Sequence, residues 1–178
     1  LKPKLLSETI PTIKEVNVET AAIQYVYYVR AKTSSGSETF LVKEFYRVRY
    51  SGSRLYLLNF RRTMEAVFNP KLTSVRKSQF KIGVSNESNF QLTLNDRANE
   101  LAFVRNGSLW YYDMDKDNLH EVFSFAQKKT DYLRDTYDQH NIKILNFDDN
   151  NTINFVVYGY MNCGDYEGRV AVILYNYD

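Results

Sequence analysis

The fold class is decided by residues 100–114, which read ELAFV, RNGS and LWYYDM in succession. The first and last of these runs are rich in Val, Phe, Tyr and Trp, whose branching or bulk suits a pleated strand better than a helix. Asn106-Gly107 between them favours a tight type I′ hairpin, because both central residues of that turn need a positive φ. The stretch predicts two antiparallel strands joined by a two-residue turn.

The same composition recurs on both sides of this hairpin. Three strands in up-and-down order are predicted between residues 21 and 60, with turns built on Gly36 and Gly52. Helix has few candidate positions. Thr63–Phe68 predicts one or two turns that end at Asn69-Pro70, and Gln127–Gln139 predicts a short polar surface helix or a long loop. We therefore expect an all-β, mainly antiparallel protein with at most one or two short helices. Further strands are predicted over residues 119–125, 142–147, 152–161 and 169–177.

Composition excludes several protein classes. The chain has 178 residues with 44% hydrophobic and 15% aromatic residues and a net charge of +2, so disorder is not expected. Seven Gly and three Pro exclude collagen-like sequence, and one cysteine forbids an internal disulfide or a Cys-based zinc cluster. No apolar run approaches the roughly 20 residues of a membrane span. The chain begins without Met and ends after an apolar run, so we expect it to be a segment of a longer polypeptide.

Two stretches of the chain match at a separation of 52 residues. Residues 90–104 read FQLTLNDRANELAFV and residues 142–156 read IKILNFDDNNTINFV, so that apolar, turn and apolar positions recur together. This spacing predicts stacked sheet units, each too small to bury its own face. The matched pairs are Phe90/Ile142, Leu92/Ile144, Asp96/Asp148, Asn99/Asn151, Leu101/Ile153, Phe103/Phe155 and Val104/Val156.

Residues 92–115, LTLNDRANELAFVRNGSLWYYDMD, resemble one blade of a TolB-type or WD40-like β-propeller. The resemblance rests on Leu101-Ala102-Phe103-Val104, on the hairpin Asn106-Gly107, and on Leu109-Trp110 followed by Asp113. It is clear over about residues 90–125 and looser over 142–178, and it implies a fold rather than an activity. A closed propeller usually needs at least four blades and this chain offers about three, so it is expected to be a partial propeller, or else an open or sandwich-like array. The tentative units are 21–62, 82–125 and 142–178, with connecting excursions at 63–81 and 126–141.

Charge is unevenly distributed along the chain. Residues 43–81 carry ten basic and two acidic side chains, whereas residues 82–178 carry eight basic and fifteen acidic ones. Strand alternation puts basic side chains with Phe45 on one face of the strand that begins at Lys43, and Glu44, Tyr46, Val48 and Tyr50 on the other. The basic face is predicted either to match acidic parts of this or a neighbouring chain or to bind an anionic polymer. The candidate binding residues are Lys43, Arg47, Arg49 and Arg54, together with Trp110 and Tyr112, which share one side of their strand.

Sites for metals and catalysis have weak sequence support. Asp113, Asp115 and Asp117 alternate as in oxygen-rich calcium loops, but Asn118 and Ser124 stand where an EF-hand needs Gly and Glu. We therefore expect the three aspartates to stabilise a turn, and we assign no metal. The sequence contains no nucleophile elbow, P-loop or zinc-protease motif, so no catalytic residue and no cofactor are assigned. Cys163 has no motif that ties it to His120 or His140.

These observations favour a non-catalytic interaction or scaffolding domain that binds a protein or ligand partner, or another part of its own polypeptide. Two alternatives stay open. One is an accessory propeller domain of a hydrolase whose catalytic residues lie outside this segment, and the other is a polyanion-binding module that uses residues 43–81. The composition slightly favours an extracytoplasmic or membrane-anchored bacterial protein and is also compatible with a reduced cytosol.

Overall fold

In the described residues, runs of branched and aromatic residues form β-strands, as the sequence predicts. The structure, a computed structural model, describes residues 3–6, 8–34, 36–70, 82, 90–125, 137 and 139–178, and every regular element within these ranges is a strand. All strand pairs are antiparallel, which confirms the predicted all-β fold class. The chain divides into two compact units, Leu1–Val67 with Gly83–Asn86 and Phe68–Ile82 with Glu87–Asp178.

The first unit contains a five-stranded sheet built around three long strands. β3 and β4 pair without interruption from Thr20 opposite Arg49 to Thr33 opposite Gly36, and β5 continues the sheet on the far side of β4. The short strands β1 and β2 both pair with β3. The strands are β1 (Lys4–Leu5), β2 (Pro11–Val16), β3 (Thr20–Thr33), β4 (Gly36–Ser51) and β5 (Arg54–Ala66).

The helix predicted at Thr63–Phe68 is wrong, because β5 extends to Ala66. Thr63–Phe68 was expected to form a turn or two of helix, but Thr63 pairs with Lys43 and the strand continues to Ala66, which pairs with Phe40. Pairing with β4 from Phe40 to Ser51 satisfies the backbone groups of β5 that face β4, and that gain overrides the weak local preference of this segment for helix. The other predicted helix, Gln127–Gln139, lies outside the described residues except at positions 137 and 139.

The second unit contains two smaller sheets. In the four-stranded sheet, Arg105 pairs with Ser108 across the predicted hairpin, and Asn106 and Gly107 have φ values of 52° and 75°, as that tight turn requires. The three-stranded sheet is a second meander that ends at Tyr177. The strands are β6 (Leu92–Leu94), β7 (Glu100–Arg105), β8 (Ser108–Asp113), β9 (Asn118–Ser124), β10 (His140–Phe147), β11 (Ile153–Tyr160) and β12 (Val170–Tyr177).

The matched segments of the sequence share their strand register at one pair, beyond which a bulge between Ile144 and Asn146 shifts the β10–β11 ladder by one residue. Leu92 pairs with Phe103 in the four-stranded sheet, and Ile144 pairs with Phe155 in the three-stranded sheet, each 52 residues further on. The two sheets of this unit share one hydrophobic core, in which Leu109 packs with residues of β11 such as Phe155. A smaller cluster on the opposite face of the four-stranded sheet contains Phe103 and Tyr112. The reading of such sheets as propeller blades stays a prediction.

Candidate interaction surface

A groove lies on one face of the sheet of the first unit. Alternation along β3 places Tyr25 and Tyr27 on this face, and alternation along β4 adds Glu44 and Tyr46. The groove has a volume of about 600 Å³ and is open to solvent along its length. Its lining is mainly apolar and aromatic, as is typical of binding surfaces. We call it the tyrosine groove, and its lining residues are Leu5, Thr9, Ile23, Tyr25, Tyr27, Glu44, Tyr46 and Val48.

Glu44 is the buried acidic group at the base of the tyrosine groove. The hydroxyls of Tyr27 and Tyr46 donate to its two oxygens at 2.9 and 2.8 Å, and Arg62 Nε donates to Oε1 at 2.6 Å. Arg62 reaches it from the neighbouring strand because Glu44 lies opposite Arg62 in the β4–β5 register. The carboxylate is therefore satisfied by three donors that the protein itself supplies.

These contacts set the protonation of the group. Burial raises the pKa of Glu44, but hydrogen bonds from Tyr46, Tyr27 and Arg62 and the positive charge of Arg62 outweigh it, so the pKa lies below its usual value. Burial and the bond to Glu44 raise the pKa of Tyr27 above its usual value. An ionised Glu44 held by neutral tyrosines is typical of a structural network, and it offers no free base or nucleophile to a substrate.

Aromatic contacts extend the groove face toward the edge of the sheet. The rings of Tyr25 and Tyr46 meet edge to face at 5.9 Å between centroids, and Tyr46 contacts Phe60 at 4.9 Å. The guanidinium of Arg62 lies 5.5 Å from the Phe60 ring centroid. Such contacts hold the aromatic side chains in fixed orientations, so the surface is ordered before any partner binds.

β5 and the hairpin that precedes it expose an unusual number of large apolar side chains. Leu55 and Leu57 are 71% and 59% exposed, and both lie on the groove face of the sheet because they pair with Tyr50 and Val48. Scattered exposed apolar residues are ordinary, but a continuous row along one strand is typical of a binding surface. The large apolar residues exposed here are Tyr50, Leu55, Tyr56, Leu57, Leu58, Phe60 and Met64.

The predicted basic residues of β4 lie on the face opposite the groove, as the alternation indicates. Arg47 and Arg49 are exposed, whereas Lys43 is half-buried, opposite Thr63. Arg47 forms an ion pair with Glu15 at 3.5 Å, and the guanidinium of Arg49 lies 5.8 Å from the Tyr56 ring centroid. This surface, with Arg54 at the hairpin turn, is the basic face: Lys43, Arg47, Arg49 and Arg54.

Trp110 and Tyr112, the aromatic pair predicted as a binding element, lie in the smaller core cluster of the second unit. Tyr112 is 4% exposed and its hydroxyl donates to Asp117 at 2.8 Å. The ring of Trp110 is half-buried and contacts Phe68 edge to face at 4.9 Å between centroids. Both side chains therefore pack within the second unit, whereas the basic residues of β4 belong to the first unit.

The three alternating aspartates form hydrogen bonds within their own turn. Asp113 accepts from the backbone N–H groups of Asp115 and Lys116 and forms an ion pair with Lys116 Nζ at 2.9 Å. Asp115 accepts from the side chain of Asn99, and Asp117 accepts from Tyr112. Among the described residues, no group of three or more His, Cys, Asp or Glu side chains is arranged to hold a metal ion. The carboxylates cap the β8–β9 turn.

Cys163 and His140 both contact Phe125, whereas His120 packs beside Tyr111 and Tyr177. Cys163 is half-buried, with its Sγ 3.9 Å from the carbonyl oxygen of Phe125. His120 contacts Tyr177 and the ring of Tyr111, and burial lowers its pKa below the usual value. The ring of His140 contacts Phe125.

Sequence reasoning placed Glu44 and Tyr46 on the non-basic face but did not identify the groove. Alternation in AAIQYVYYVRA (residues 21–31) puts Tyr25 and Tyr27 on one face, so part of the signal was present. The missing information was the cross-strand register, which sets Tyr25 opposite Glu44 and Glu44 opposite Arg62.

Comparison of the chain with protein-family models, with curated proteins and with solved structures found no match. In the described part of the chain, no helix has the length and apolar character needed to cross a bilayer.

Proposed function

We propose that this protein is a non-catalytic interaction domain that binds a protein partner through the groove side of its first sheet. The observation that carries the proposal is the row of exposed apolar side chains on β5, continuous with the ordered aromatic rings of the tyrosine groove. Burying Leu55 and Leu57 against a partner would contribute about 1.5–3 kcal/mol for each fully buried side chain.

The pairing of Glu44 within the groove supports binding rather than turnover. Glu44 is the acidic group in its lining, and its oxygens already accept from Tyr27, Tyr46 and Arg62. A partner therefore meets a largely apolar surface whose ionised carboxylate, Glu44, is already paired with Tyr27, Tyr46 and Arg62.

The test is capture of a partner by the whole chain, followed by titration of the identified partner. Leu57→Glu is expected to weaken its affinity at least tenfold, because it puts a charge into the apolar contact. Val172→Glu is the matched control, since it makes the same change at an exposed strand position in the second unit. Equal affinity for both variants, or catalytic turnover with no stable partner, would contradict the proposal.

A second candidate function is polyanion binding by the basic face. It is supported by the exposure of Arg47, Arg49 and Arg54 on one side of the β4–β5 hairpin. Affinity for heparin or a short single-stranded DNA should fall steeply as salt is added, and Arg47→Ala with Arg49→Ala should reduce both affinity and salt dependence. Affinity that does not change with salt eliminates this candidate.

The blade resemblance is retained as a proposal about architecture: β6–β9 and β10–β12 are successive propeller-like repeats. The shared register of Leu92/Phe103 and Ile144/Phe155 supports it. An accessory role beside a hydrolase follows only if the complete reading frame encodes a nucleophile elbow. A reading frame without one removes that alternative.

A further inference from the structure

The two sheets of the second unit differ by one strand. β8 pairs with β7 on one side and with β9 on the other, whereas β12 pairs with β11 and, among the described residues, with no strand on its other side. In the four-stranded sheet Tyr112 pairs with Leu101. Ile153, which lies 52 residues after Leu101, pairs with Tyr177, so β12 occupies the position of β8. We call the unpaired side of β12 the open edge; in the other sheet the equivalent edge is filled by β9.

The ends of β8 and β12 also have similar sequences. Residues 109–113 read LWYYD and residues 174–178 read LYNYD, so Leu, Tyr and Asp recur at three of the five positions and an aromatic residue recurs at a fourth. Leu109 therefore corresponds to Leu174 in sequence as well as in register. β12 presents to its open edge nearly the same residues that β8 presents to β9.

The backbone of β12 directs hydrogen-bonding groups to the open edge. The N–H of Met161 donates to the carbonyl oxygen of Arg169 at 2.9 Å, on the ladder that joins β11 to β12. Because the bonding direction alternates along an antiparallel strand, every second residue from Arg169 to Tyr177 bonds to β11. The residues between them direct their N–H and C=O groups to the open edge: Val170, Val172, Leu174 and Asn176.

The opposite edge of the same sheet is closed by the chain itself. The side-chain amide of Gln91 donates to the carbonyl oxygen of Ile142 at 2.6 Å and accepts from the N–H of Ile144 at 2.9 Å. A bulge between Ile144 and Asn146 also interrupts this edge. β12, by contrast, reads VAVILYNY, has neither charge nor proline, and continues its ladder with β11 without a bulge. An edge strand of this kind is a template for pairing with a further strand.

We propose that the open edge of β12 binds an extended segment of a protein partner, which joins the sheet as a fourth strand antiparallel to β12. The pairing of β9 with β8 defines the chemistry of that segment, because Phe123 lies opposite Leu109 and Leu119 lies opposite Tyr112. The partner segment carries an aromatic residue opposite Leu174 and an aliphatic residue four positions before it. Binding at β12 does not require binding at the first sheet, so either can fail without the other.

The probe is a fluorescent peptide with the sequence of residues 117–125, DNLHEVFSF, titrated with the whole chain and followed by anisotropy. Met114 donates to Asn99 on the β7–β8 ladder, so alternation directs Tyr111 to β9. His120 lies opposite Tyr111 and therefore directs its N–H to β8, whereas the N–H of Leu119 points away.

Two modified peptides use this alternation as a matched pair. A methyl group on the backbone nitrogen at the position of His120 should weaken the affinity at least about tenfold, because it removes a bond to the sheet and obstructs the approach of the strand. The same methyl group at the position of Leu119 should leave the affinity within about twofold.

Variants of the chain locate the bound peptide. Leu174→Pro removes a donor at the open edge without breaking the ladder with β11, and it should weaken the affinity at least about tenfold. Leu174→Val keeps that donor and should bind normally, as should Leu57→Glu on the first sheet. In the wild type, added peptide should slow amide hydrogen exchange at Leu174 and Asn176, whose N–H groups face the open edge.

Circular dichroism checks that Leu174→Pro keeps the wild-type strand content, and the two methylated peptides decide the matter if it does not. Failure of the unmodified peptide to bind at about 1 mM overturns the proposal. Equal affinities for the two methylated peptides, or protection along β8 instead of β12, also overturn it. A dimer that protects Leu174 and Asn176 without peptide overturns it as well, because the open edge then pairs with a second copy of the chain.

Discussion

Replacing Glu44 by Gln tests whether the network at the base of the tyrosine groove stabilises the first unit through charge. Glu44 accepts hydrogen bonds from Tyr27, Tyr46 and Arg62, while its side chain is only 9% exposed. A hydrogen bond to a charged acceptor contributes about 1.5–3 kcal/mol and a neutral one about 0.5–1.5 kcal/mol. Neutralising the acceptor therefore costs about 1 kcal/mol for each donor.

The contribution of Arg62 must be discounted, because its side chain is 58% exposed and water screens the ion pair. The hydrogen bonds from the two tyrosine hydroxyls need no such discount. Removing the buried charge also removes its desolvation cost, which offsets part of the stability lost when those two bonds weaken. We expect Glu44→Gln to lower the free energy of unfolding by about 1–2 kcal/mol at neutral pH. Urea unfolding followed by circular dichroism measures this difference, and Glu121→Gln at an exposed position of β9 is the matched control.

The difference in unfolding free energy between wild type and Glu44→Gln should also depend on pH. The pKa of Glu44 is lower in the folded protein than its usual value, so its charge stabilises the fold above the unfolded pKa of about 4.3. That stabilisation is lost as the pH falls through the folded pKa, and the gap between wild type and Glu44→Gln should narrow below about pH 4. A loss under about 0.5 kcal/mol at neutral pH, or a gap that stays constant into the acid range, would refute the reasoning.

Three further predictions concern the second unit. Gly159→Ala should cost at least about 3 kcal/mol or prevent folding, because a Cβ there would clash with the Gln139 carbonyl oxygen at a φ of +115°. Gly164→Ala, at a position with open space around it, should cost clearly less in a thermal-shift assay, and equal losses would contradict this. Asn106→Ala should lower the free energy of unfolding by about 1–2 kcal/mol, because Asn106 has a φ of 52° and its Oδ1 accepts from the backbone N–H of Phe68 at 3.0 Å. Unfolding monitored by tryptophan fluorescence measures this loss. An unchanged unfolding midpoint would argue against it. Burial and the hydrogen bond to Asp117 raise the pKa of Tyr112 to about 12. Tyr112→Phe should therefore remove a step in the ultraviolet absorbance titration near that pH. Removal of a step near pH 10 instead would show that the Tyr112 hydroxyl is not bound to Asp117.

Local sequence determined most of the strands and the hairpin turn at Asn106-Gly107. Asn106-Gly107 adopts the positive φ angles of a two-residue hairpin because that geometry is available to those residues at low cost, whatever the rest of the chain does. The alternation of side chains likewise predicted that Arg47 and Tyr46 lie on opposite faces of β4, because the period of two is a property of a single strand. The repeat at 52 residues was equally visible, since matched apolar positions require no knowledge of pairing.

Tertiary structure decided everything that depends on which strands meet. Thr63–Phe68 has weak helical preference on its own, and only the open edge of β4 made it a strand. The network around Glu44 required residues from three strands in one register, and no single segment contains that information. Burial was decided in the same way: Leu109 and Leu174 occupy equivalent positions, but a sheet packs against only one of them. Local preference acts through each residue's own backbone, whereas register and burial come from the free energy of the assembled sheets.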